Sequence, residues 1–159
     1  PIMTTCPCHS NEVLYFFGGS EEVQENDEKG AHGTLRSLDV NISEWTTLPI
    51  LDKALRGQGF VATPDHCLYV IGGEDTQSNT PSNECFKYDI NLGEWTTMSE
   101  SLPEPLSDNK AICFCNNAGG YCIFNIGWSR EHNQSCVSLY NHSLPNLEYP
   151  QDRWIPLDY

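Results

Sequence analysis

Short apolar runs separated by polar turns predict that this chain is built from β-strands. The segment CLYVI, residues 67–71, is apolar at every position and is followed by Gly72 and Gly73. An unbroken apolar run of this length is typical of a strand that is covered on both faces. Residues 83–89, NECFKYD, instead alternate with a period of two, and no stretch shows the 3.6-residue period of a helix. The pattern therefore predicts an all-β fold.

This pattern recurs with a period near 50 residues. LYFFGGS begins at Leu14 and LYVIGGE begins at Leu68. Further along each copy, Trp45 and Trp95 lie 50 residues apart, and each is followed by Thr-Thr. Each of the two tryptophans also comes six residues after an aspartate. Two matched segments in the same order indicate a structural repeat.

A third copy is less regular than the first two. Ile126 and Gly127 stand where the other copies have Gly-Gly, and Tyr140 precedes Trp154 by 14 residues, whereas Tyr88 precedes Trp95 by seven. Each copy divides into four short strands, which in the second copy are GFVAT, CLYVIGG, NECFKYD and EWTTM. Four-stranded units repeated at a fixed period predict the blades of a propeller.

On these residues the chain resembles the kelch family. The resemblance is carried by two Gly-Gly pairs, at 18–19 and 72–73, and by the spacing from Tyr88 to Trp95, which Leu38 and Trp45 repeat. It covers essentially the whole chain. It implies a kelch-type β-propeller with blades at residues 1–53, 54–107 and a degenerate blade at 108–159. Three blades do not close a ring, so we expect them to be part of a ring of about six, completed by further blades or by a second copy.

The charge balance limits the partners of this chain. It carries 8 Lys and Arg against 22 Asp and Glu, a net charge of −14. This disfavours nucleic acid and anionic membrane surfaces, whose affinity depends on basic side chains. A protein or peptide with basic segments is attracted instead.

The cysteines bear on the compartment and on metal binding. There are eight, and most lie where strands are predicted. A buried thiol packs as a small apolar group, so we expect reduced cysteines and a cytoplasmic location, with a secreted, disulfide-bonded protein as the alternative. CPCH at 6–9 and CFC at 113–115 lack the usual C-x₂₋₄-C spacing of zinc sites. For them we predict core packing, with no metal and no cofactor.

Catalytic motifs are not found in the sequence. It contains no G-x-S-x-G, H-E-x-x-H or P-loop pattern, and its five histidines show no paired spacing. We therefore predict a binding module and not an enzyme.

The segment from LYVIGG to LPEPLSDNKAICF resembles, more specifically, the kelch domains of BTB-kelch proteins. These recruit substrates to cullin-based ubiquitin ligases, so the resemblance implies a substrate receptor of that kind. It also implies that Arg56, in LRGQG after the first blade connection, lines the substrate mouth. In blade three the matching place holds Ser107 and Asp108. The alternative is a structural kelch protein, either a cytoskeletal cross-linker or a secreted adhesion module.

The loops between second and third strands are expected at residues 20–33, 74–82 and 128–134, and loops on a rigid scaffold commonly bind partners. The first is rich in acids and the third contains Arg130. An alternative role for Arg56 is to hydrogen-bond carbonyls of the neighbouring blade. The predicted partner-binding residues are Arg56, Glu21, Glu22, Glu25, Asp27, Glu28 and Arg130.

Overall fold

The computed structural model describes residues 4–8, 12–19, 33–115, 120–142 and 152–157. Within these residues the chain forms fifteen β-strands and no helix. Their bounds are β1 Thr4–Cys8, β2 Val13–Phe17, β3 Leu35–Asp39, β4 Glu44–Leu48, β5 Leu55–Arg56, β6 Gly59–Thr63, β7 Cys67–Ile71, β8 Glu74–Asp75, β9 Thr80–Pro81, β10 Cys85–Asp89, β11 Glu94–Thr97, β12 Ser107–Cys115, β13 Tyr121–Ser129, β14 Gln134–Asn141 and β15 Arg153–Leu157.

The strands form three four-stranded antiparallel sheets. Their orders are β1-β2-β3-β4, β6-β7-β10-β11 and β12-β13-β14-β15, and we refer to them as blades 1, 2 and 3. Strand β6 of blade 2 lies beside both β1 and β12, so the first strands of the blades are neighbours. The predicted all-β fold with propeller-type blades is confirmed, and the three blades do not close a ring. The blade limits 1–53, 54–107 and 108–159 stay predictions.

Apolar side chains fill the two spaces between blades. Strand β7 is buried on both faces, as its unbroken apolar run predicts. Leu68 and Val70 face blade 1, whereas Tyr69 and Ile71 face blade 3. The first space also holds Phe17, Leu35, Phe60, Phe86 and Tyr88, and the second holds Cys85, Leu106, Tyr121, Ile123, Tyr140 and Trp154.

Aspartates fix the turns between third and fourth strands in blades 1 and 2. Asp39 Oδ1 accepts hydrogen bonds from the amides of Asn41 and Ile42 at 2.9 and 3.4 Å. Asp89 Oδ1 accepts the corresponding bonds from Asn91 and Leu92 at 2.9 and 3.0 Å. An Asp side chain that accepts from amides two and three residues later stabilises a tight turn. The turn explains why each Trp follows an Asp at the same distance.

The strand register aligns the irregular third copy with the second. Tyr140 pairs with Trp154, as Tyr88 pairs with Trp95, so the extra residues before Trp154 lie between β14 and β15. The fourth strand of blade 3 is therefore present.

The same register corrects the expected position of the missing glycine. Tyr88 pairs with Leu68 in blade 2, and Tyr140 pairs with Ile123 in blade 3. Counting four residues onward from each partner gives Gly72 and Gly127, so Trp128, and not Ile126, departs from the Gly-Gly pair. A Cβ on Gly127 would clash with Asn109 Oδ1 and lie 2.7 Å from Leu106 Cβ, and one on Gly72 would lie 2.9 Å from Asn109 Nδ2 and 3.2 Å from the Leu106 carbonyl oxygen. Both glycines therefore lie close against the same two residues.

The tryptophans of the fourth strands do not all pack between blades. Trp95 lies edge-on to Phe17 of blade 1 at 5.6 Å and donates from Nε1 to the carbonyl of Pro49 at 2.8 Å. Trp154 is 7% exposed in the space between blades 2 and 3. Each therefore packs on the preceding blade. Trp45 is 55% exposed and contacts Phe16 of its own blade, and no described strand precedes blade 1 on that side. The spacing that Trp45 shares with Trp95 predicts the same packing between blades, and for Trp45 that prediction is wrong.

The cysteines divide into buried and accessible thiols. Cys67, Cys85 and Cys122 are buried in strands, as predicted. Cys115 is exposed at the end of β12, so core packing was wrong for that residue. The side chains of the CPCH motif lie outside the described residues. Six cysteine side chains are described, and none of them is joined in a disulfide.

Blade 3 has an apolar outer face. Ala111 and Cys113 of β12 pack towards blade 2, whereas the intervening Ile112 and Phe114 are exposed on the other side. Ile126 and Trp128 of β13 are exposed as well. In the part of the chain that the structure describes, no helix is long and apolar enough to cross a bilayer.

Replacing Trp95 with Ala should cost clearly more stability than replacing Trp45. We expect Trp95→Ala to lower the unfolding free energy by about 2–3 kcal/mol, somewhat below the range of about 3–5 kcal/mol for a fully buried aromatic side chain. Trp45→Ala should cost below about 1 kcal/mol because its side chain is mostly in water. Urea unfolding of the two variants measures both values, and equal losses would contradict the described packing.

Gly73→Val should destabilise the fold more than Gly19→Val, although the two glycines occupy matching places. Both have positive φ, 96° and 115°, so a side chain strains the backbone at either position. A Cβ at Gly73 would also lie 2.9 Å from Gln58 Cβ and 3.0 Å from the Arg56 carbonyl, whereas no described atom lies within 4 Å of one at Gly19. Overpacking adds about 1–3 kcal/mol to the strain. Thermal melts of both variants test this, and a Gly19→Val loss as large as that of Gly73→Val would contradict it.

Candidate functional site

A small sheet that the sequence did not predict positions the first candidate residue. Strands β8 and β9, which lie between the second and third strands of blade 2, form a three-stranded sheet with β5, which precedes the first strand of that blade. In its register Arg56 of β5 lies opposite Glu74 of β8, and Glu74 lies opposite Pro81 of β9. The connection between blades 1 and 2, which contains Arg56, is therefore hydrogen-bonded to the segment that was predicted as the 74–82 loop.

Gly73 allows this small sheet to sit against blade 2. Its positive φ of 96° turns the chain directly after β7, and the Arg56 carbonyl would lie 3.0 Å from any Cβ placed there. Its amide donates to the Leu106 carbonyl at 3.0 Å, and its carbonyl accepts from the Ser82 amide at 2.8 Å. Since only glycine fits this close backbone approach without strain, Gly73 fixes where Glu74 points into the site.

The candidate site is a cluster of four residues around one carboxylate, which we call the Glu74 cluster: Arg56, Glu74, Asn79 and Arg130. Arg56 Nη2 donates to Glu74 Oε1 at 2.7 Å, and Arg130 Nη2 donates to Glu74 Oε2 at 3.0 Å. Each carboxylate oxygen thus accepts from a different arginine. Arg130 belongs to blade 3, so the cluster connects two blades.

Asn79 completes the cluster from the turn between β8 and β9. Arg56 Nη2 donates to its side-chain oxygen at 2.6 Å, and Arg130 Nη1 donates to its backbone carbonyl at 3.4 Å. Asn79 has a positive φ of 57°, a conformation that asparagine tolerates. The turn is held by Asp75, whose Oδ1 accepts from the amides of Gln77 and Ser78 at 2.8 and 3.0 Å.

Arg130 is positioned by the buried residue before it. Ser129 is the last residue of β13, and its hydroxyl donates to the Glu104 carboxylate. The same Ser129 oxygen accepts from the His132 amide at 3.2 Å. Glu104 lies in the connection from blade 2 to blade 3. The hydrogen bond from Ser129 lowers the pKa of Glu104 below its usual value. The turn that carries Arg130 is therefore anchored at its base.

The electrostatics leave the Glu74 cluster with a net positive charge. The hydrogen bond from Arg56 is the main cause that holds the pKa of Glu74 below its ordinary value, and Arg130 acts in the same direction. The same bond raises the pKa of Arg56. Glu74 is therefore ionised near neutral pH, and two arginines against one glutamate give +1 in a chain of net charge −14.

The exposure of the two arginines determines what the cluster offers to a partner. The Glu74 side chain is 7% exposed, whereas those of Arg56 and Arg130 are 54% and 50% exposed. The buried carboxylate thus holds two guanidinium groups whose remaining surface is open to solvent. Such an arrangement suits hydrogen bonding to carboxylate or carbonyl oxygens of another molecule.

The structure brings together two of the predicted site residues. Arg56 and Arg130 share Glu74, although they are 74 residues apart in the sequence. The acidic residues Glu21, Glu22, Glu25, Asp27 and Glu28 lie outside the described residues. Sequence reasoning missed Glu74 and Asn79. The position of Glu74 directly after Gly-Gly was the available signal, because that place is set by the end of a buried strand.

The alternative role for Arg56, hydrogen bonding to carbonyls of the neighbouring blade, fits Arg130 better. The two contacts described for Arg56 go to side chains of its own blade, whereas Arg130 reaches the Asn79 carbonyl across the blade boundary. Among the described residues, no group of three His, Cys, Asp or Glu side chains is arranged to hold a metal ion.

Comparison with known proteins agrees with the blades. Residues 56–101 match the kelch motif, a span that runs from Arg56 in β5 to the end of blade 2. The chain is 30% identical over 112 residues to Kelch-like protein 41 of Mus musculus and of Rattus norvegicus. The match covers 69% of this chain and 18% of the length of each relative.

Kelch repeats are in general non-enzymatic modules for protein interaction. The four-stranded sheets, the motif match in blade 2 and the two relatives lead to one conclusion. This chain belongs to the kelch-repeat family and is most like the kelch-like proteins.

Proposed function

We propose that this chain is the substrate-recognition part of a BTB-kelch adaptor for a cullin-based ubiquitin ligase, that it acts in the cytoplasm and that it has no catalytic activity of its own. The coarser function, binding of a protein by a kelch domain, follows from the family. The adaptor role is supported by the similarity to kelch-like proteins, of which this chain spans less than a fifth.

The observation that carries the proposal is the pair of half-exposed arginines held by one buried carboxylate. Two long, flexible side chains normally lose conformational entropy when they bind a partner. Here Glu74 and Asn79 already restrain both guanidinium groups, so less of that loss remains for the binding step. Pre-organised arginines with open surface are typical anchors of protein interfaces.

The charge of the whole chain suggests a division of roles in recognition. The net charge of −14 attracts basic segments over long distances, and the acidic residues at 21–28 add to that attraction. The four side chains of the Glu74 cluster together carry a charge of +1, with Asp108 also acting on Arg56, and the two arginines favour contacts with backbone carbonyls or a carboxylate on the same partner. We therefore propose that acidic residues steer association and that Arg56 and Arg130 slow dissociation.

The exposed outer face of blade 3 supports the expectation that other blades complete the ring. Ile112, Phe114, Ile126 and Trp128 alternate with residues that pack towards blade 2. Exposed apolar faces of this kind are rarely left uncovered in soluble proteins. We propose that the remaining blades of the same propeller cover this face.

Removing either arginine should weaken partner binding mainly through faster dissociation. Arg56→Ala and Arg130→Ala should each raise the off-rate by about tenfold, which corresponds to about 1.4 kcal/mol, because each removes a pre-organised donor. The measurement is surface plasmon resonance with the partner that the wild-type full-length protein co-precipitates. Arg36→Ala, an exposed arginine on β3, is the matched control and should leave the rates unchanged.

Thermal melts on the same variants separate binding from scaffolding. We expect a small decrease in melting temperature for Arg56→Ala and a larger one for Arg130→Ala, which bridges two blades. A lower melting point together with unchanged partner affinity would assign the arginines to the scaffold and contradict their proposed role.

The adaptor role is tested by identifying the proteins that bind the full-length protein in cells. We expect immunoprecipitation of the tagged full-length protein to recover a cullin, and Arg56→Ala to keep the cullin while losing the substrate. These two results depend on different parts of the protein. Recovery of the substrate without any cullin would contradict the adaptor role and leave binding by the Glu74 cluster intact.

A further inference from the structure

The two thiols of the CFC segment form a pair that the Glu74 cluster does not use. Cys113 and Cys115 lie on the same face of β12, and their sulfur atoms are 3.7 Å apart. Cys113 is half-buried against the apolar space between blades 2 and 3, whereas Cys115 is exposed. One thiol is therefore accessible to a reagent, and the other lies next to it as a second reactant.

We propose that Cys113 and Cys115 are a site of reversible oxidation that takes a small-molecule disulfide as its substrate. The exchange has two steps. The Cys115 thiolate attacks one sulfur of the small disulfide, which breaks that S–S bond and releases one thiolate. The Cys113 sulfur, after loss of its proton, then attacks the Cys115 sulfur and releases the second thiolate. Two cysteine thiols are oxidised, and one disulfide is reduced to two thiols.

The strand geometry makes the resulting bond easy to reverse. Two residues of an antiparallel strand span about 6.8 Å between Cα atoms, at the upper end of the usual disulfide range of about 4.4–6.8 Å. Closing the bond therefore requires β12 to bend at its end. Strained and exposed disulfides are the labile, regulatory ones, in contrast to structural disulfides.

The bend would fall at the contact between blades 2 and 3. Cys113 and Cys115 pair with Ile123 and Tyr121 of β13. The Tyr121 hydroxyl lies 2.9 Å from that of Tyr69 in blade 2, and it donates to Asp65 Oδ2 at 3.1 Å. Oxidation would bend β12, which pairs with the strand that carries Tyr121. The thiol state is thereby linked to the packing between blades 2 and 3.

Burial separates the exposed Cys115 from three other described strand cysteines, Cys67, Cys85 and Cys122. Burial raises the pKa of Cys67 to about 11 and that of Cys85 to about 12. It also raises the pKa of Cys122, and Cys122 is 3% exposed. These three thiols stay protonated and out of reach of a reagent. Burial and the neighbouring Glu104 carboxylate raise the pKa of the partly buried Cys136, so Cys115 is the described thiol that a reagent reaches most readily.

Oxidised glutathione is a suitable probe, and trypsin yields one peptide, 111–130, that contains Cys113, Cys115 and Cys122. After treatment of the folded chain and alkylation under denaturing conditions, we expect this peptide to carry two alkyl groups fewer than the reduced peptide. Apart from those groups it should be about 2 Da lighter, because a disulfide replaces two thiols. Fragmentation should place the bond between Cys113 and Cys115. Dithiothreitol should restore both sites.

Two serine variants with different expected results control for the effect of a substitution on folding. Cys113→Ser should retain glutathione on Cys115, because the second thiol is missing. Cys122→Ser should leave the reaction unchanged. Lasting glutathione on Cys115 in the wild type, a bond to Cys122 or to another peptide, or no reaction at all would each overturn the proposal.

Discussion

The packing of apolar side chains between neighbouring sheets is the interaction on which the rest of this structure depends. Strand β7 takes part in both packed spaces, with Leu68 and Val70 on one face and Tyr69 and Ile71 on the other. A single blade cannot bury its own apolar faces, so each sheet is stable only where another covers it. The unbroken apolar run of β7 meets this requirement, because both of its faces are covered by neighbouring blades.

The Glu74 cluster follows from the same packing. Because β7 is fixed between two blades, the chain leaves it at a defined place, and Gly73 turns it there against the Arg56 carbonyl. Glu74 is the next residue, and its burial makes two arginine partners necessary, since an unpaired buried carboxylate is costly. One arginine comes from the connection before blade 2 and the other from the turn in blade 3. The proposed partner-binding surface is therefore built from the way the blades are joined.

Sequence reasoning predicted what the repeat itself encodes. The four strands of blade 2 occur where the second copy placed them, and Cys67 and Cys85 are buried as strand residues. It failed where a residue's role depends on a neighbour in another blade. Trp45 and Trp95 have the same local sequence, yet only Trp95 has a described blade to pack against. The cluster was predicted only in part. Arg56 was named from the family resemblance and Arg130 from its loop, but no local pattern shows that Glu74 joins them.

The tryptophans differ in exposure, so their fluorescence can report on the packed spaces between blades. Trp95 and Trp154 lie in the first and second space, whereas Trp45 and Trp128 are in contact with water. Indole emission shifts to longer wavelength on hydration, so a chain without Trp45 and Trp128 would report on the two spaces alone. Both spaces share β7, so separation of blades 2 and 3 would expose one face of that strand. Strands of blade 2 line both spaces, so intrinsic fluorescence of such a chain would show whether the two spaces open together or separately.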